Sequence, residues 1–315
     1  MNKDASIFVA GHRGLVGSAI TRELQKQGFQ NLILRTRDEL DLTIQGDVAD
    51  FFATEQPEYV FLAAARVGGI LANATYPADF IATNLNIQTN VVDAAYRNGT
   101  KKLCFFGSSC IYPKHAPQPM SEDALLTGPL EPTNESYAIA KIAGIMMCRA
   151  YRKQYGFNAI AVMPTNLYGP GDNFHPETSH VLPALIQKLD NAKRTNAASV
   201  TLWGSGTPRR EFLYVDDLAQ AVCFLMASYD SAEIINIGVG KDIAIAQLAN
   251  LVRNVVGFEG QIEFDASKPD GMPRKLMDVS KLNNFGWSAT TSLADGIRAT
   301  YRWYLENLER ENDAR

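Results

Sequence analysis

The sequence predicts an α/β fold built on a doubly wound parallel sheet, and three observations support that prediction. Short, nearly continuous apolar runs alternate with segments whose apolar residues recur at helical spacing, as in buried parallel strands joined by helices. A glycine-rich turn, Gly11-x-x-Gly14-x-x-Gly17, directly follows the first run. After about residue 170 the spacing of the elements changes, which predicts a second, smaller lobe. The apolar runs lie at 6–10, 31–34, 59–65, 103–106 and 158–163.

Helices are predicted between these runs at 14–27, 45–54, 79–98 and 136–155. Glycine and proline interrupt the chain at 169–173, and a helix is then predicted over 180–193. Further short strands are predicted at 200–203 and 234–237, and further helices at 215–227, 245–256 and 293–308. We therefore predict a Rossmann-type, cofactor-binding domain over residues 1–172. A smaller C-terminal α/β substrate lobe over 173–315 is expected to be partly interleaved with it.

Composition excludes several classes of protein. Of the 315 residues 46% are hydrophobic and 20% are charged, as in globular proteins. The net charge of -4 argues against nucleic acid as a partner, and the sequence has no apolar stretch of the ~20 residues that a membrane helix requires. The four cysteines show no CxxC spacing, so neither a disulfide framework nor a metal site is expected. The N-terminus lacks a secretory signal, which predicts a cytoplasmic protein.

The glycine turn predicts a dinucleotide site. Gly11 permits a tight turn, Gly14 lets the backbone approach phosphate oxygens, and Gly17 allows close packing of helix on strand. The N-terminus of the following helix supplies N–H donors for a pyrophosphate. The predicted contacts are Gly11, His12, Arg13, Gly14, Leu15, Val16 and Gly17.

The choice between NADP and NAD depends on residues about twenty positions further on. NAD sites usually place an acid there for the ribose, whereas a 2′-phosphate needs arginine. Arg35 and Arg37 precede Asp38, which favours NADP (NADPH), with Arg37 as the predicted phosphate ligand. Asp41 and Leu42 are predicted at the adenine edge. In the alternative interpretation both arginines are solvated surface residues and Asp38 contacts an NAD ribose.

A second group predicts carbonyl chemistry. Tyr137 and Lys141 lie four residues apart, which places both on one face of a helix. A tyrosine exchanges protons poorly at neutral pH unless nearby positive charge stabilises its phenolate, and Lys141 supplies such charge. Ser108, after the fourth predicted strand, is placed to hydrogen-bond the same carbonyl oxygen. The sequence therefore predicts reduction of a ketone by a nicotinamide.

With these residues the chain resembles the extended short-chain dehydrogenase/reductase family over nearly its whole length. The motifs are GHRGLVG at 11–17, LAAA at 62–65, SSC at 108–110, YAIAK at 137–141, PTNLYGP at 164–170 and WGSGTPRREFLYVDD at 203–217. The resemblance implies a homodimer formed through the helices at 79–98 and 136–155. It also implies further cofactor contacts from Ala64, Phe106, Gly107, Ser108, Ser109, Tyr137, Lys141, Pro164, Thr165, Asn166, Leu167 and His180.

Five longer motifs are similar to a branch of that family acting on the nucleotide sugar GDP-4-keto-6-deoxy-D-mannose. They are AARVGGI at 64–70, GSSCIYP at 107–113, EPTNESYAIAKIAGI at 131–145, NFHPETSHVLPALI at 173–186 and KPDGMPRKLMD at 268–278. The resemblance implies that Cys110 is the base and His180 the acid of epimerisation at C3 and C5, before NADPH reduces C4. The chemistry agrees, because the 4-keto group acidifies the hydrogens on both neighbouring carbons.

The same resemblance implies substrate contacts from Ser108, Cys110, Tyr137, Asn166, His180, Lys188, Trp203, Arg210 and Asp270. Either Arg209 or Arg210 is placed to bind the diphosphate. Lys188 as a solvated helix residue and Trp203 as a core residue are the structural alternatives. Taken alone, Cys110 is more typical of a packed small hydrophobe, and His180 of a surface or capping residue.

Three other functions remain as alternatives. A nucleotide-sugar 4,6-dehydratase usually carries an Asp-Glu pair after its catalytic serine or threonine, where this chain has Ser109 and Cys110. A 4-epimerase keeps its NAD bound and needs no cysteine and histidine pair. A non-catalytic NADP sensor commonly lacks the tyrosine and lysine, which are present here.

Overall fold

The computed structural model describes residues 1–175, 178–268 and 270–313. At 70, 71 and 310–313 it describes the backbone only. Parts of two sequence motifs, at 176, 177 and 269, lie outside the described residues. The strands in chain order are β1 (Ile7–Ala10), β2 (Leu32–Ile33), β3 (Tyr59–Leu62), β4 (Lys102–Phe106), β5 (Ala159–Pro164), β6 (Asn166–Tyr168), β7 (Ser199–Trp203), β8 (Arg209–Tyr214), β9 (Ile235–Ile237), β10 (Asp242–Ala244), β11 (Gln261–Asp265) and β12 (Arg274–Lys275).

The helices in chain order are α1 (Leu15–Lys26), α2 (Gln45–Glu55), α3 (Ile70–Thr75), α4 (Pro77–Arg97), α5 (Glu135–Tyr155), α6 (Val181–Arg194), α7 (Val215–Ser228), α8 (Ile245–Val256), α9 (Ser280–Phe285) and α10 (Leu293–Asp313). Three short 3₁₀ turns, Ser109–Ile111, Glu122–Ala124 and Pro132–Asn134, lie between β4 and α5.

Six parallel strands form the main sheet in the order β2-β1-β3-β4-β5-β9. Alternate residues of a strand point to opposite faces, and in β1 Phe8 contributes to one apolar core while Ile7 and Val9 contribute to the other. Both faces are therefore buried, which explains why these strands are continuous apolar runs in the sequence. The predicted Rossmann-type, doubly wound sheet is confirmed.

A third apolar core lies in the C-terminal half, where α6, α8 and α10 pack on smaller sheets. Strand β8 pairs in parallel with β6 and β12 and antiparallel with β10, and β7 pairs in parallel with β11. Strand β9 and helix α7 come from the same half of the chain but pack with the main sheet. The division of the chain at residue 172 stays a prediction.

Several elements of this second half were not predicted. Strand β8 begins Arg209-Arg210-Glu211, and β11 has no fully buried residue, so neither has the continuous buried apolar run by which the main strands were recognised. Within the described ranges, no helix has the length and apolar character needed to cross a membrane.

Candidate active site

The glycine turn between β1 and α1 forms a close-packed cradle. Gly11 has φ +83°, and a Cβ at that position would lie 2.9 Å from the backbone of Ala64. A Cβ at Gly17 would collide with the carbonyl oxygen of Gly11. Gly14 is exposed at the start of α1, where no side chain caps the helix and no acid stands in the first turn. This uncapped, positive helix end fits the pyrophosphate of a dinucleotide.

The two arginines beyond β2 have different environments. Arg35 forms an ion pair with Glu55 at 2.6 Å. Arg37 is largely exposed, and only a 3.4 Å contact joins it to Asp41. Hydrogen bonds from Thr43, followed by the charge of Arg37, lower the pKa of Asp41. Of the two guanidinium groups, Arg37 is therefore the one available to a phosphate.

His12 and Arg13 lie in the glycine turn. Arg13 is exposed, and the buried Nδ1 of His12 has no hydrogen-bond partner. Burial and then the charge of Arg13 lower the pKa of His12, so the imidazole is neutral at pH 7. Because the His12 ring is neutral, the exposed Arg13 is the residue of the glycine turn that carries a positive charge.

Tyr137 and Lys141 lie on one face of α5, as predicted. Lys141 is buried, its Nζ donates to the carbonyl of Phe106 at 2.8 Å, and it lies 5.9 Å from the centre of the Tyr137 ring. Burial lowers the pKa of Lys141 to about 8. Burial and the nearby Cys110 raise the pKa of Tyr137, against a hydrogen bond with Ser108. The phenol is therefore protonated at neutral pH.

Cys110 is held by two donors that the sequence did not reveal. Asn134 Nδ2 lies 3.2 Å and Lys275 Nζ 3.4 Å from the Cys110 sulfur. Burial alone would raise the pKa of the Cys110 thiol. The charge of Lys275 and hydrogen bonds from Ser108, Lys275 and Asn134 outweigh burial and lower it. The Cys110 thiol therefore ionises more readily than an ordinary cysteine, which a side chain packed only among apolar groups would not do.

His180 lies at the N-terminal boundary of α6. Its side chain caps no N–H group of the helix, and the residue is exposed. Desolvation by the surrounding atoms, followed by the charge of Lys275, lowers the pKa of His180. Lys275 therefore acts electrostatically on both the sulfur and the imidazole.

Most of the remaining predicted cofactor residues lie along the carboxyl ends of β4 and β5. The Gly107 N–H donates to Val162, and a Cβ there would collide with Met163. Ser109 and Thr165 are buried, and Asn166 and Leu167 are half-buried. Positions further from the cleft include Leu42, which is buried and accepts a hydrogen bond from Asn90. Phe106 and Pro164 end their strands.

The predicted substrate residues form a more open surface. Trp203 is 72% exposed, which excludes the core alternative, and Lys268 lies 5.7 Å from its ring. Asp270 accepts hydrogen bonds from the N–H and hydroxyl of Ser205. Lys188 is exposed on α6, and its Nζ donates to the carbonyl of Thr201.

The structure distinguishes the two adjacent arginines. Arg209 is paired with Asp242 at 2.7 Å, and Asp242 also binds Arg274. Arg210 donates to the backbone carbonyls of Arg209 and Met272 and has no ion pair among the described residues. The guanidinium of Arg210 therefore has N–H donors available for an anion, whereas the guanidinium of Arg209 is already engaged by Asp242.

Comparisons with known proteins give one consistent family. Residues 7–238 match the NAD dependent epimerase/dehydratase family. GDP-L-fucose synthase 1 of Arabidopsis thaliana is 64% identical over 307 residues, which cover 98% of this chain and 95% of that protein. GDP-L-fucose synthase of Escherichia coli (strain K12) is 55% identical over 313 residues, covering 96% and 98%. A solved GDP-mannoheptose C4 reductase from Campylobacter jejuni with NADP bound has a TM-score of 0.89 at 43% identity, covering 97% and 99%.

Proposed function

Because this chain belongs to the NAD dependent epimerase/dehydratase family, we propose that it converts GDP-4-keto-6-deoxy-D-mannose to GDP-L-fucose. The reaction combines epimerisation at C3 and C5 with NADPH-dependent reduction at C4. The observation that carries the proposal is the Cys110 sulfur, held by Lys275 and Asn134 beside Tyr137 in one cleft. A ketone reductase needs no such sulfur, whereas an epimerase needs a base for carbon-bound protons. The relatives named GDP-L-fucose synthase support the same assignment.

The residues present fit NADP. The glycine cradle and uncapped α1 would hold the pyrophosphate, and Arg37 would bind the 2′-phosphate. When bound, the reduced nicotinamide supplies a hydride. Asp41 is engaged by Thr43, so its role at the adenine edge is to hold the turn that presents Arg37.

Replacing Arg37 with alanine is expected to weaken NADPH binding about tenfold, since a charge-assisted hydrogen bond contributes roughly 1.5–3 kcal/mol and Arg37 is exposed. NADH binding is expected to change little because NADH lacks the phosphate. Fluorescence titration of both nucleotides measures the two affinities. Arg35→Ala is the matched control, because Arg35 is already paired with Glu55. Equal weakening of NADPH and NADH in Arg37→Ala would contradict the assignment.

In the proposed epimerisation, Cys110 and His180 exchange protons with carbon from the two sides of the sugar. The thiolate of Cys110 removes a proton beside the 4-keto group, and Ser108 and Tyr137 donate hydrogen bonds to the enolate oxygen. His180 returns a proton to the opposite face. Lys275 stabilises the thiolate, and its charge, together with burial, lowers the pKa of His180, so the minor imidazolium form that returns the proton is a stronger acid than a free one.

In the proposed reduction Tyr137 donates the proton that the C4 oxygen requires. Burial keeps the phenol protonated until substrate is present. Lys141 contributes positive charge from the same helix face, and Ser108 holds the oxygen in line. The two chemical steps therefore use one set of hydrogen bonds to the same oxygen.

Lys275→Met is expected to raise the pKa of both Cys110 and His180. An ammonium favours a thiolate and disfavours an imidazolium, so its removal raises both pKa values. The rate of Cys110 alkylation by iodoacetamide, which follows the thiolate fraction, is expected to fall about tenfold at pH 7. The pH titration of the His180 ring protons by NMR is expected to move to higher pH.

Lys268→Met is the matched control for that substitution, because Lys268 lies over the exposed ring of Trp203 rather than against the Cys110 sulfur. It is expected to leave both titrations in place. Opposite shifts of Cys110 and His180 in Lys275→Met would contradict the shared influence of the ammonium.

At the other end of the cleft, we propose that Arg210 and Lys188 bind the diphosphate and that Trp203 contacts the base or sugar. Arg210 is favoured over Arg209, which Asp242 engages. Asp270 accepts two hydrogen bonds from Ser205 and thereby fixes the turn that follows Trp203. An exposed aromatic ring is suited to an apolar ring face.

A GDP-sugar 4-reductase without epimerase activity is the second candidate, favoured by the likeness to the Campylobacter jejuni enzyme. Product analysis by NMR after incubation with NADPH and GDP-4-keto-6-deoxy-D-mannose in deuterated water separates the two. GDP-L-fucose carrying deuterium at C3 and C5 is expected. Reduced product with both carbons unlabelled would support the reductase alone, and absence of NADPH oxidation would contradict both.

We also propose a homodimer built through α4 and α5. Ile139 and Met146 are exposed apolar residues on one face of α5, which packs along α4. A second copy would cover them. The cofactor domain (1–172) and substrate lobe (173–315) of each subunit would then stay free to hold the nucleotide sugar between them.

A further inference from the structure

Lys275 lies on a strand too short to fix its own position. Strand β12 has two residues, and its register pairs Arg274 with Arg209 and Lys275 with Arg210 of β8. A two-residue ladder supplies few backbone hydrogen bonds, so contacts outside the ladder determine where the Lys275 ammonium lies.

Glu211, the next residue of β8, supplies such a contact. Its side chain is fully buried, and one carboxylate oxygen accepts the N–H groups of Val239 at 2.6 Å and Gly240 at 2.7 Å. The other oxygen accepts the N–H of Met277 at 3.1 Å. Among the described residues Glu211 has no ion pair, so these N–H groups take the place of a cation. A Cβ at Gly238 would collide with the carboxylate, which shows how closely the loop fits it.

The segment after Lys275 is attached on two sides. Leu276 and Asp278 exchange backbone hydrogen bonds with Met120, each at 2.8 Å. Met277, between them, donates to Glu211. Since alternate N–H groups of extended chain point to opposite sides, Glu211 holds the side that Met120 leaves free.

Glu211 also contacts the predicted cofactor residues. Its backbone carbonyl accepts hydrogen bonds from Asn166 Nδ2 at 2.8 Å and Thr165 Oγ1 at 3.5 Å. One residue therefore joins the segment after β5, the loop after β9 and the segment that directly follows Lys275.

We propose that Glu211 is a positioning residue whose carboxylate fixes Met277, just after β12, and thereby holds Lys275 Nζ against the Cys110 sulfur. The effect of Glu211 on catalysis rests on the proposed epimerase function. The effect of Glu211 on the position of Lys275 is independent of that function, because it concerns side chains of the protein without substrate.

Glu211→Gln tests the placement. The amide puts an NH₂ group where one carboxylate oxygen accepts a backbone N–H, so β12 loses part of its attachment and Lys275 moves away from the sulfur. The other groups facing Cys110 (Asn134, Ser108 and Tyr137) remain, as does His180, on which Lys275 also acts electrostatically. The rate of Cys110 alkylation by iodoacetamide, read by peptide mass spectrometry across pH, is expected to fall about threefold to tenfold at pH 7 and to titrate at higher pH. The other three cysteines are buried.

The Lys275→Met background separates positioning from general loosening. If Glu211 acts through Lys275, adding Glu211→Gln to Lys275→Met is expected to cause no further fall in alkylation. An equal fall in both backgrounds would overturn the proposal. Should Glu211→Gln give no folded protein, Glu211→Asp, which withdraws the carboxylate by one methylene, receives the same comparison.

Asp217→Asn is the matched control. Asp217 is another buried carboxylate that accepts backbone N–H groups, from Thr290 at 3.2 Å and Thr291 at 2.9 Å. Its loss is expected to lower stability and to leave Cys110 alkylation unchanged. A fall as large as that of Glu211→Gln would show a nonspecific effect and overturn the proposal.

The alkylation assay contains no sugar nucleotide, so it distinguishes the two hypotheses. Slower alkylation in Glu211→Gln, with no GDP-L-fucose formed by the unsubstituted protein, would support the positioning role and reject the proposed function. Unchanged alkylation, with GDP-L-fucose formed by the unsubstituted protein, would do the reverse.

Discussion

Replacing Cys110 with serine is expected to lower proton exchange at C3 and C5 of the 4-keto sugar by about 10²- to 10⁴-fold, the usual contribution of a positioned acid or base. An alcohol is a much weaker acid than a thiol, so Lys275 and Asn134 cannot produce a comparable anion from serine. NADPH affinity is expected to stay within about twofold, since the pyrophosphate cradle lies at the start of α1.

Deuterium incorporation at C3 and C5, followed by NMR in deuterated water, measures that loss. Cys223→Ser is the matched control, because burial on α7 raises the pKa of Cys223 to about 12. Its incorporation rate is expected to match that of the unsubstituted protein. Unchanged incorporation in Cys110→Ser would reject Cys110 as the base and leave the ketone reduction as the supported activity.

The main sheet was predictable because burial on both faces requires apolar residues at nearly every position of its strands. Each predicted run, such as 103–106, falls on a strand of that sheet. Strands of the second half obey other constraints. In β8, Arg209 forms an ion pair and Arg210 donates to backbone carbonyls, so polar contacts rather than apolar burial accommodate those residues. Hydrophobic periodicity therefore gave no signal there.

The candidate site was only partly predictable for a related reason. Tyr137 and Lys141 are four residues apart on one helix, so sequence spacing alone shows that they share a face. Lys275 meets Cys110 across 165 residues, through a two-residue strand that only the tertiary structure aligns. Lys275 lies within the quoted motif at 268–278, yet nothing local distinguishes its role from that of a solvated lysine.

The choice between Arg209 and Arg210 was open in the sequence for the same reason. The two residues are adjacent and chemically alike. The partner that separates them, Asp242, lies on β10, a strand that the sequence analysis did not predict. The resemblance implied an arginine at the diphosphate, and the ion pair with Asp242 shows that Arg209 is the more engaged of the two.

Tyr137→Phe is expected to lower the reduction of the 4-keto sugar by about 10²- to 10⁴-fold, because the C4 oxygen loses its proton donor. Burial keeps the phenol of Tyr137 protonated, and Lys141, with a pKa of about 8, is mainly cationic at pH 7. NADPH oxidation followed by absorbance measures the rate. Tyr151→Phe is the matched control, since Tyr151 lies on the same helix and its hydroxyl binds Asp93 at 2.7 Å, away from the site.

Proton exchange is expected to respond differently from reduction in the same variant. Ser108 still binds the enolate oxygen and Cys110 still ionises beside Lys275, so Tyr137→Phe, which loses one of the two hydrogen bonds to that oxygen, should lower deuterium incorporation less than NADPH oxidation. Cys110→Ser should show the converse when the sugar is supplied already epimerised. The two variants thus separate base from acid within one cleft. Equal loss of both reactions in Tyr137→Phe would mean that the phenol is required for enolate formation, and the division of roles between Tyr137 and Cys110 would fail.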